Sequence, residues 1–326
     1  MSNNFYKNKD VLLVSPYFYS YHKGIVKALK DKGANVKFVP EVNNSFFYRL
    51  SKKISPKLQC FLENKHKKKI LNACKQNSFD LLLVIRGELF DKNLLTLIRK
   101  ELPNADFYMY QWDSYRHADY RDVIKCFKRV STFDSSDAKE LCIPYLPLFY
   151  LPEYKSNTCY SEKKYALSFF GAYHGDRLDV IKFFTKELEQ NSSKHKFHLY
   201  MPLLSFLYRL LVREVKVSDF KYFTFYKAKS SDISKVYSES IAVLDVELAI
   251  QSGLSIRTFE VLSSGAKLLT TNFNIKREKL YNEDVVNCIN RNDLIFDPHF
   301  FESKKIEISL DDYSVSKWLD NVFLVK

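Results

Sequence analysis

Gln251-Ser-Gly-Leu-Ser-Ile-Arg-Thr-Phe-Glu-Val-Leu-Ser-Ser-Gly265 decides how this chain is read. An apolar run, Ile241 to Ala249, leads into it, and a second, Lys267 to Thr271, leads out. The pattern is strand, glycine loop, short helix, glycine, strand. Ser255 stands where a side chain can cap the helix, and Thr258 falls in the first turn. Arg257 and Glu260 are three apart and share one face. A helix N-terminus offers phosphate free N–H groups and a partial positive charge, and an arginine adds a forked donor. A carboxylate beside them can accept ribose hydroxyls. The same pattern also serves as plain α/β scaffold, so its surroundings have to decide.

Upstream, Tyr165 to Gly171 reads as a strand, followed by Ala-Tyr-His174-Gly175-Asp176 and a helix from Asp176 to Glu189 that begins with Arg177. Gly171 and Gly175 allow close backbone approach, and Arg177 is a second candidate phosphate contact. A strand over Lys196–Met201 and a helix over Ser231–Glu239 complete this half. The first half alternates in the same way. Strands are expected at Val11–Pro16, Val36–Pro40, Asp80–Gly87, Asp106–Asp113 and Val130–Asp134. Helices are expected at Tyr21–Lys32 (ended by Gly33), Asp91–Lys100 and Ser135–Leu141, with a further one through about 45–76, interrupted near Pro56. Such alternation implies parallel sheets covered by helices. Residues 1–152 form one expected domain, 153–164 a polar linker and 165–310 a second domain. An amphipathic helix in 311–326 ends the chain. Two α/β domains leave a cleft, and ligands bind beyond the carboxyl ends of the strands.

Composition narrows the field. The chain has 326 residues, 46% of them hydrophobic, with 27 Phe and 22 Tyr, enough for two cores. Its six cysteines form no Cys-x-x-Cys and no matching histidine spacing, so a zinc site is not expected and a reducing cytosol is. Met1–Lys7 lacks the apolar core of a secretory signal, and no apolar run approaches the ~20 residues that span a bilayer, so a cytoplasmic protein is expected.

The net charge is +13 and lopsided. Residues 1–150 hold 26 Lys and Arg against 15 Asp and Glu, a net +11; the remainder holds 25 against 23. Between Arg49 and Lys75 there are nine basic residues and one acid, Glu63. No helix-turn-helix, zinc-finger or RNP pattern supports nucleic acid. Phe46, Phe47, Tyr48, Leu50, Ile54 and Leu58 interleave with Arg49, Lys52, Lys53 and Lys57, a segment suited to an anionic membrane surface. The competing reading is a solvated helix face.

Among the strand ends of the first half, Asp113 follows Gln111 and Trp112 at a cleft-facing position, where a carboxylate can deprotonate a hydroxyl. His22 lies near the start of the first helix, as a second catalytic candidate or a surface histidine. Asp134 and Ser135 are explained as a helix cap.

Phe-Phe-Gly-Ala-Tyr-His-Gly-Asp-Arg (169–177) and the stretch from Gln251 to Asn272 resemble the C-terminal domain of GT-B glycosyltransferases, closest to the CgeB-like and lipopolysaccharide or capsule branch. Tyr-Gln-Trp-Asp-Ser (110–114) and Thr-Phe-Asp-Ser-Ser-Asp-Ala (132–138) look more loosely like that branch's first domain. The resemblance implies two Rossmann-like domains facing across a cleft, with the last helix crossing back to the first domain. It implies a nucleotide-sugar donor on the second domain, near Gly171, His174, Arg177, Gly253, Leu254, Ser255, Arg257, Thr258 and Glu260. Glu260 would match the ribose-binding glutamate, and Arg177 and Arg257 the phosphate contacts. A glycan acceptor, lipid-linked in one version, would bind the first domain, with Asp113 as base. No metal or other cofactor is implied, because helix dipoles and basic side chains stabilise the leaving diphosphate. One departure stands out: many relatives carry a second glutamate eight positions before Glu260, and here that position is Ser252. The alternatives are a nucleotide-sugar epimerase of the same architecture and a regulator that binds nucleotide or sugar without turnover.

Overall fold

The apolar runs of the first half become five parallel strands: β1 (Asp10–Ser15), β2 (Asn35–Pro40), β3 (Leu81–Ile85), β4 (Asp106–Gln111) and β5 (Arg129–Thr132). They are ordered β2-β1-β3-β4-β5. The structure is a computed structural model and describes residues 5–42, 55–156, 158–247, 252–302 and 308–324. Residues β1 Val11 to Val14 and β3 Leu81 to Ile85 are wholly buried, as continuous apolar runs in a sheet covered on both faces must be.

Local chemistry sets the helix ends. α1 (Tyr21–Asp31) stops before Gly33, which takes φ +92°. α2 (Pro56–Gln76) opens on Pro56 with Ser55 accepting from Leu58 N–H. α3 (Lys92–Glu101) is capped by Asp91, which accepts from Leu94 N–H at 2.7 Å. α4 (Ser135–Leu141) is capped by Asp134 through Ser136 and Asp137 N–H. The aromatic part of the basic segment, Phe46 to Ile54, lies outside the described residues. From Ser55 onward the segment is one uninterrupted helix, because Pro56 falls at its first turn, where no N–H is needed.

The second sheet has six parallel strands: β6 (Tyr165–Ala172), β7 (His195–Tyr200), β8 (Phe223–Thr224), β9 (Ser240–Asp245), β10 (Lys267–Thr270) and β11 (Val286–Cys288). Their order is β11-β10-β9-β6-β7-β8. The helices among these strands are α5 (Arg177–Gln190), α6 (Leu203–Leu211), α7 (Ser230–Ser238) and α8 (Ile256–Ser263), and α9 (Pro298–Glu302) follows β11. The chain closes with α10 (Val315–Phe323).

By compactness the chain divides into Met1–Leu148 with Tyr313–Lys326, and Phe149–Asp312. α10 therefore belongs to the first unit. Its Trp318 is buried edge-on against Tyr110 of β4 at 4.8 Å, and its Asp320 receives Lys32 Nζ at 2.9 Å and Tyr6 OH at 3.0 Å. The expected linker, 153–164, is instead part of the second unit: Tyr154 is buried and meets Tyr237 of α7, because an aromatic this large has more to gain from the core than from solvent. β9 ends at Asp245, whose carboxylate accepts from Ser255, and two residues on the Glu247 carboxylate accepts from Thr271. Among the described residues no helix is long and apolar enough to cross a membrane.

Candidate functional site

The second sheet runs 3-2-1-4-5-6 in its own strand count, so its order reverses between β6 and β9. In doubly wound sheets ligands bind at the carboxyl ends of the strands at this switch point. The segments leaving there are 173–176, into α5, and the one from Val246 to Ser255, into α8. These are the two glycine–arginine elements singled out in the sequence.

Three arginines converge at these strand ends, each with a different partner. Arg257 pairs with Asp245 at the tip of β9, in a short contact between Nη1 and Oδ1. It also donates to the Tyr237 hydroxyl. Burial opposes the charge on Arg257, but Asp245 more than compensates, and its pKa is raised above the ordinary arginine value. Arg177 donates from Nε to Val246 O and from Nη1 to Ala172 O, both at 2.7 Å. Burial first, then the like charge of Arg257, hold its pKa below the ordinary value. Arg291 reaches Asp176 at 3.2 Å, Glu247 Oε1 at 2.9 Å and Thr271 Oγ1 at 3.0 Å. Phe169 of β6 lies under the guanidinium groups of both Arg177 and Arg257, at 5.8 and 5.6 Å.

Gly171 is required by this packing. A Cβ there would come within 2.7 Å of the Phe169 ring and 3.1 Å of Arg177 Nη1, so its hydrogen atom lets Arg177 cross the strand end. Gly175 serves differently: it takes φ +53° and faces open space. His174 is held near 4 by burial and by Arg177 and Arg257, and is neutral at pH 7.

Ser255 occupies the N-cap position of α8 but does not cap it. Its hydroxyl is turned toward the buried Asp245 carboxylate, to which it donates at 2.7 Å, and accepts from no N–H of the first turn. The N-terminus of α5 also lacks a side-chain cap. Thr258 and Leu254 are buried, and the Gly253 carbonyl accepts from Asn272 Nδ2 at 3.1 Å, which anchors the loop to the end of β10. Glu260 is buried on α8 and accepts from the Tyr154 hydroxyl, whose own ionisation is suppressed by burial and by Glu260. Gln251 lies outside the described residues.

The catalytic candidates of the first half lie in the other unit. Asp113, just beyond β4, has Oδ2 3.1 Å from Arg86 Nε, and Arg86 also meets Glu88 at 2.8 Å. Arg86 adopts φ +72°, a left-handed conformation that a non-glycine residue keeps only under constraint, and Gln111 Nε2 bonds its carbonyl at 2.6 Å. His22 is not a surface residue: it is buried in α1, stacked on Phe38 at 4.9 Å with Tyr17 edge-on at 5.1 Å. Burial lowers its pKa, with Lys23 adding to the effect. Glu41 was not singled out. It is wholly buried beyond β2, accepts from Leu89 N–H at 2.8 Å, and is pushed up by burial to about 7.

The sequence reading also passed over Asp176, Asp245, Glu247, Thr271 and Arg291. The signal for two of them was present: Asp245 and Glu247 interrupt the apolar run Val243–Ala249 with alternate spacing at a strand's end, where a buried charge needs a partner. Arg291 follows a short strand far along the chain and left no such mark. Among the described residues no cluster of His, Cys, Asp or Glu is arranged to hold a metal ion.

No protein-family model matches the chain, and no curated protein sequence does. Solved structures do. A UDP-GlcNAc 2-epimerase from Methanocaldococcus jannaschii matches with a TM-score of 0.55 at 9% identity, over 96% of this chain and 98% of that one. Anabaena Alr3699/HepE, solved with UDP-glucose, matches with 0.53 at 11% identity over 86% of each. The catalytic domain of Arabidopsis thaliana starch synthase IV, bound to ADP and acarbose, matches with 0.53 at 9% identity, over 98% and 96%. The chain has the two-unit α/β fold of these GT-B proteins.

Proposed function

We propose that this protein is a glycosyltransferase that moves a sugar from a nucleotide-sugar donor to a growing surface polysaccharide of the lipopolysaccharide or capsule kind. One observation carries the reading: two helix N-termini without side-chain caps, those of α5 and α8, meet beside Arg177 at the switch point of the second sheet. Arg177 is a cation whose surroundings disfavour its charge, so an incoming diphosphate would be stabilised there. UDP, UDP-glucose and ADP in the neighbouring structures support a nucleotide donor.

The helix ends and Arg177 receive the diphosphate and hold it as it leaves, without a metal. Arg257, tied by Asp245, adds its remaining guanidinium donors, with His174, Gly171, Gly253, Leu254, Ser255 and Thr258 shaping the pocket. Glu260, oriented by Tyr154, takes the ribose. Asp113 removes the acceptor proton in the first unit, and His22, whose pKa burial lowers, is the second catalytic candidate there. The basic segment 45–76 brings the enzyme to an anionic inner leaflet, where a lipid-linked acceptor resides.

The test is release of nucleoside diphosphate from a panel of nucleotide sugars, with and without extracted glycan acceptor. Release that needs acceptor, and that falls at least about tenfold in Arg177→Met, is expected. A second reading, epimerisation, is favoured by the likeness to the epimerase, which spans nearly the whole chain. An isomerised donor formed without acceptor would establish it instead, and donor binding with no product would point to a regulator.

A further inference from the structure

Leu203-Leu-Ser-Phe-Leu-Tyr-Arg-Leu-Leu211 forms α6, apolar except for a narrow polar strip made by Ser205 and Arg209 at i and i+4. Its inner face is accounted for. Phe206 is buried against the rings of Phe220, Phe223 and Phe225, at 5.6, 5.4 and 5.7 Å, and Leu210 packs at the edge of the same core. The outer face carries Leu204, Leu207, Tyr208 and Leu211, spaced i, i+3, i+4, i+7. Leu204 is 81% exposed, Tyr208 65% and Leu211 82%. Just past the helix end, Arg213 takes the left-handed region at φ +59°, and the chain returns so that exposed Phe220 lies against Phe206. An apolar helix face is ordinarily turned to a core, and soluble proteins rarely leave such a contiguous apolar surface in water.

The charge beside this face is one-sided. Residues 203–229 hold six Lys and Arg and two acids. Both acids are engaged: Glu214 pairs with Arg209, and Asp219 is buried and held by Lys182 at 2.7 Å. Arg213, Lys216 and Lys221 remain exposed beside the apolar residues.

We infer that the outer face of α6 docks on an anionic lipid bilayer, with the helix in the interfacial plane. Leu204, Leu207 and Leu211 enter the acyl boundary, Tyr208 sits at headgroup depth, and Arg213, Lys216 and Lys221 meet lipid phosphates. A second copy of the chain fits less well, because a two-fold contact through this face would set the cationic residues against themselves. The inference is independent of the glycosyl-transfer reading and of segment 45–76, since it rests on a different surface in a different unit.

Flotation of the full-length protein tests it, on phosphatidylcholine vesicles with and without one-third phosphatidylglycerol. The wild type should float with the anionic vesicles, and L204E/L211E should cut the bound fraction at least about tenfold while melting at an unchanged temperature, since both leucines already face water. Leu211→Trp gives a second readout: the added indole should be quenched by brominated lipid. Flotation of L204E/L211E equal to wild type, or an added indole that brominated lipid leaves unquenched, overturns the inference. So does sedimentation velocity showing a vesicle-free dimer that L204E/L211E dissociates, for then the face belongs to a second copy.

Discussion

Asp245→Asn removes one charge from the buried pair at the end of β9. The Asp245 side chain is 1% exposed and that of Arg257 17%, so water offers little compensation. Removing one partner of such a pair costs about 3–5 kcal/mol, because the other charge stays buried. Asparagine keeps the shape, and its oxygen can still accept from Ser255, which places the loss near the lower end, at about 3 kcal/mol. Both tryptophans, Trp112 and Trp318, belong to the first unit, so intrinsic fluorescence does not report this loss. Amide hydrogen exchange in β9 and β10 does. At about 1.4 kcal/mol per decade, their slowest amides should exchange about a hundredfold faster in the variant. Arg257→Met alone should cost a similar amount, and Asp245→Asn with Arg257→Met should fall short of the summed single losses by about 2 kcal/mol. Single losses below about 1 kcal/mol, or an additive double variant, would refute the buried pair as the organiser of this strand end.

Glu41 makes the first unit sensitive to pH. Its folded pKa, about 7, lies above the ordinary 4.5, so the folded state binds the extra proton and stability falls as pH rises between those values. Urea titrations of the wild type at pH 5 and 8, followed by tryptophan fluorescence, should differ by about 2–3 kcal/mol more than those of Glu41→Gln; parallel pH profiles would exclude this role. Gly171→Ala drives a Cβ into Phe169 and displaces Arg177 from Ala172 O, so β6 should lose about 1–3 kcal/mol of exchange protection. Trp318→Ala empties the site against Tyr110 and should lower the stability of the first unit by about 3–5 kcal/mol, read from its urea midpoint by Trp112 emission.

Nine of the eleven strands among the described residues and the Asp134 cap were legible because their causes are local, whereas β8 and β11, two and three residues long, are too short to show a pattern. Asp134 and Gly33 act within a few residues of themselves, and fully apolar runs such as Leu81–Ile85 have few other uses. The site was legible only in its backbone. Gly171, Arg177 and Ser255 stand at the correct strand ends, but their partners come from distant segments. Ser255 shows the difference: its position makes it a cap, and a carboxylate ten residues earlier claims its hydroxyl. Arg291 and Tyr154 enter through tertiary packing that no local spacing encodes. α6 escaped because seven of its nine residues are apolar and only Ser205 and Arg209 mark a polar face, too few to set a helical period by eye.

Donor binding tests the central claim most directly. Hydrogen exchange of the full-length protein, with and without a saturating nucleoside diphosphate sugar, would locate it. Protection of residues 173–177 and 252–258, at the N-termini of α5 and α8, is expected, with its loss in Arg177→Met. Protection confined to any other part of the chain, or none with every nucleotide sugar tried, would contradict it.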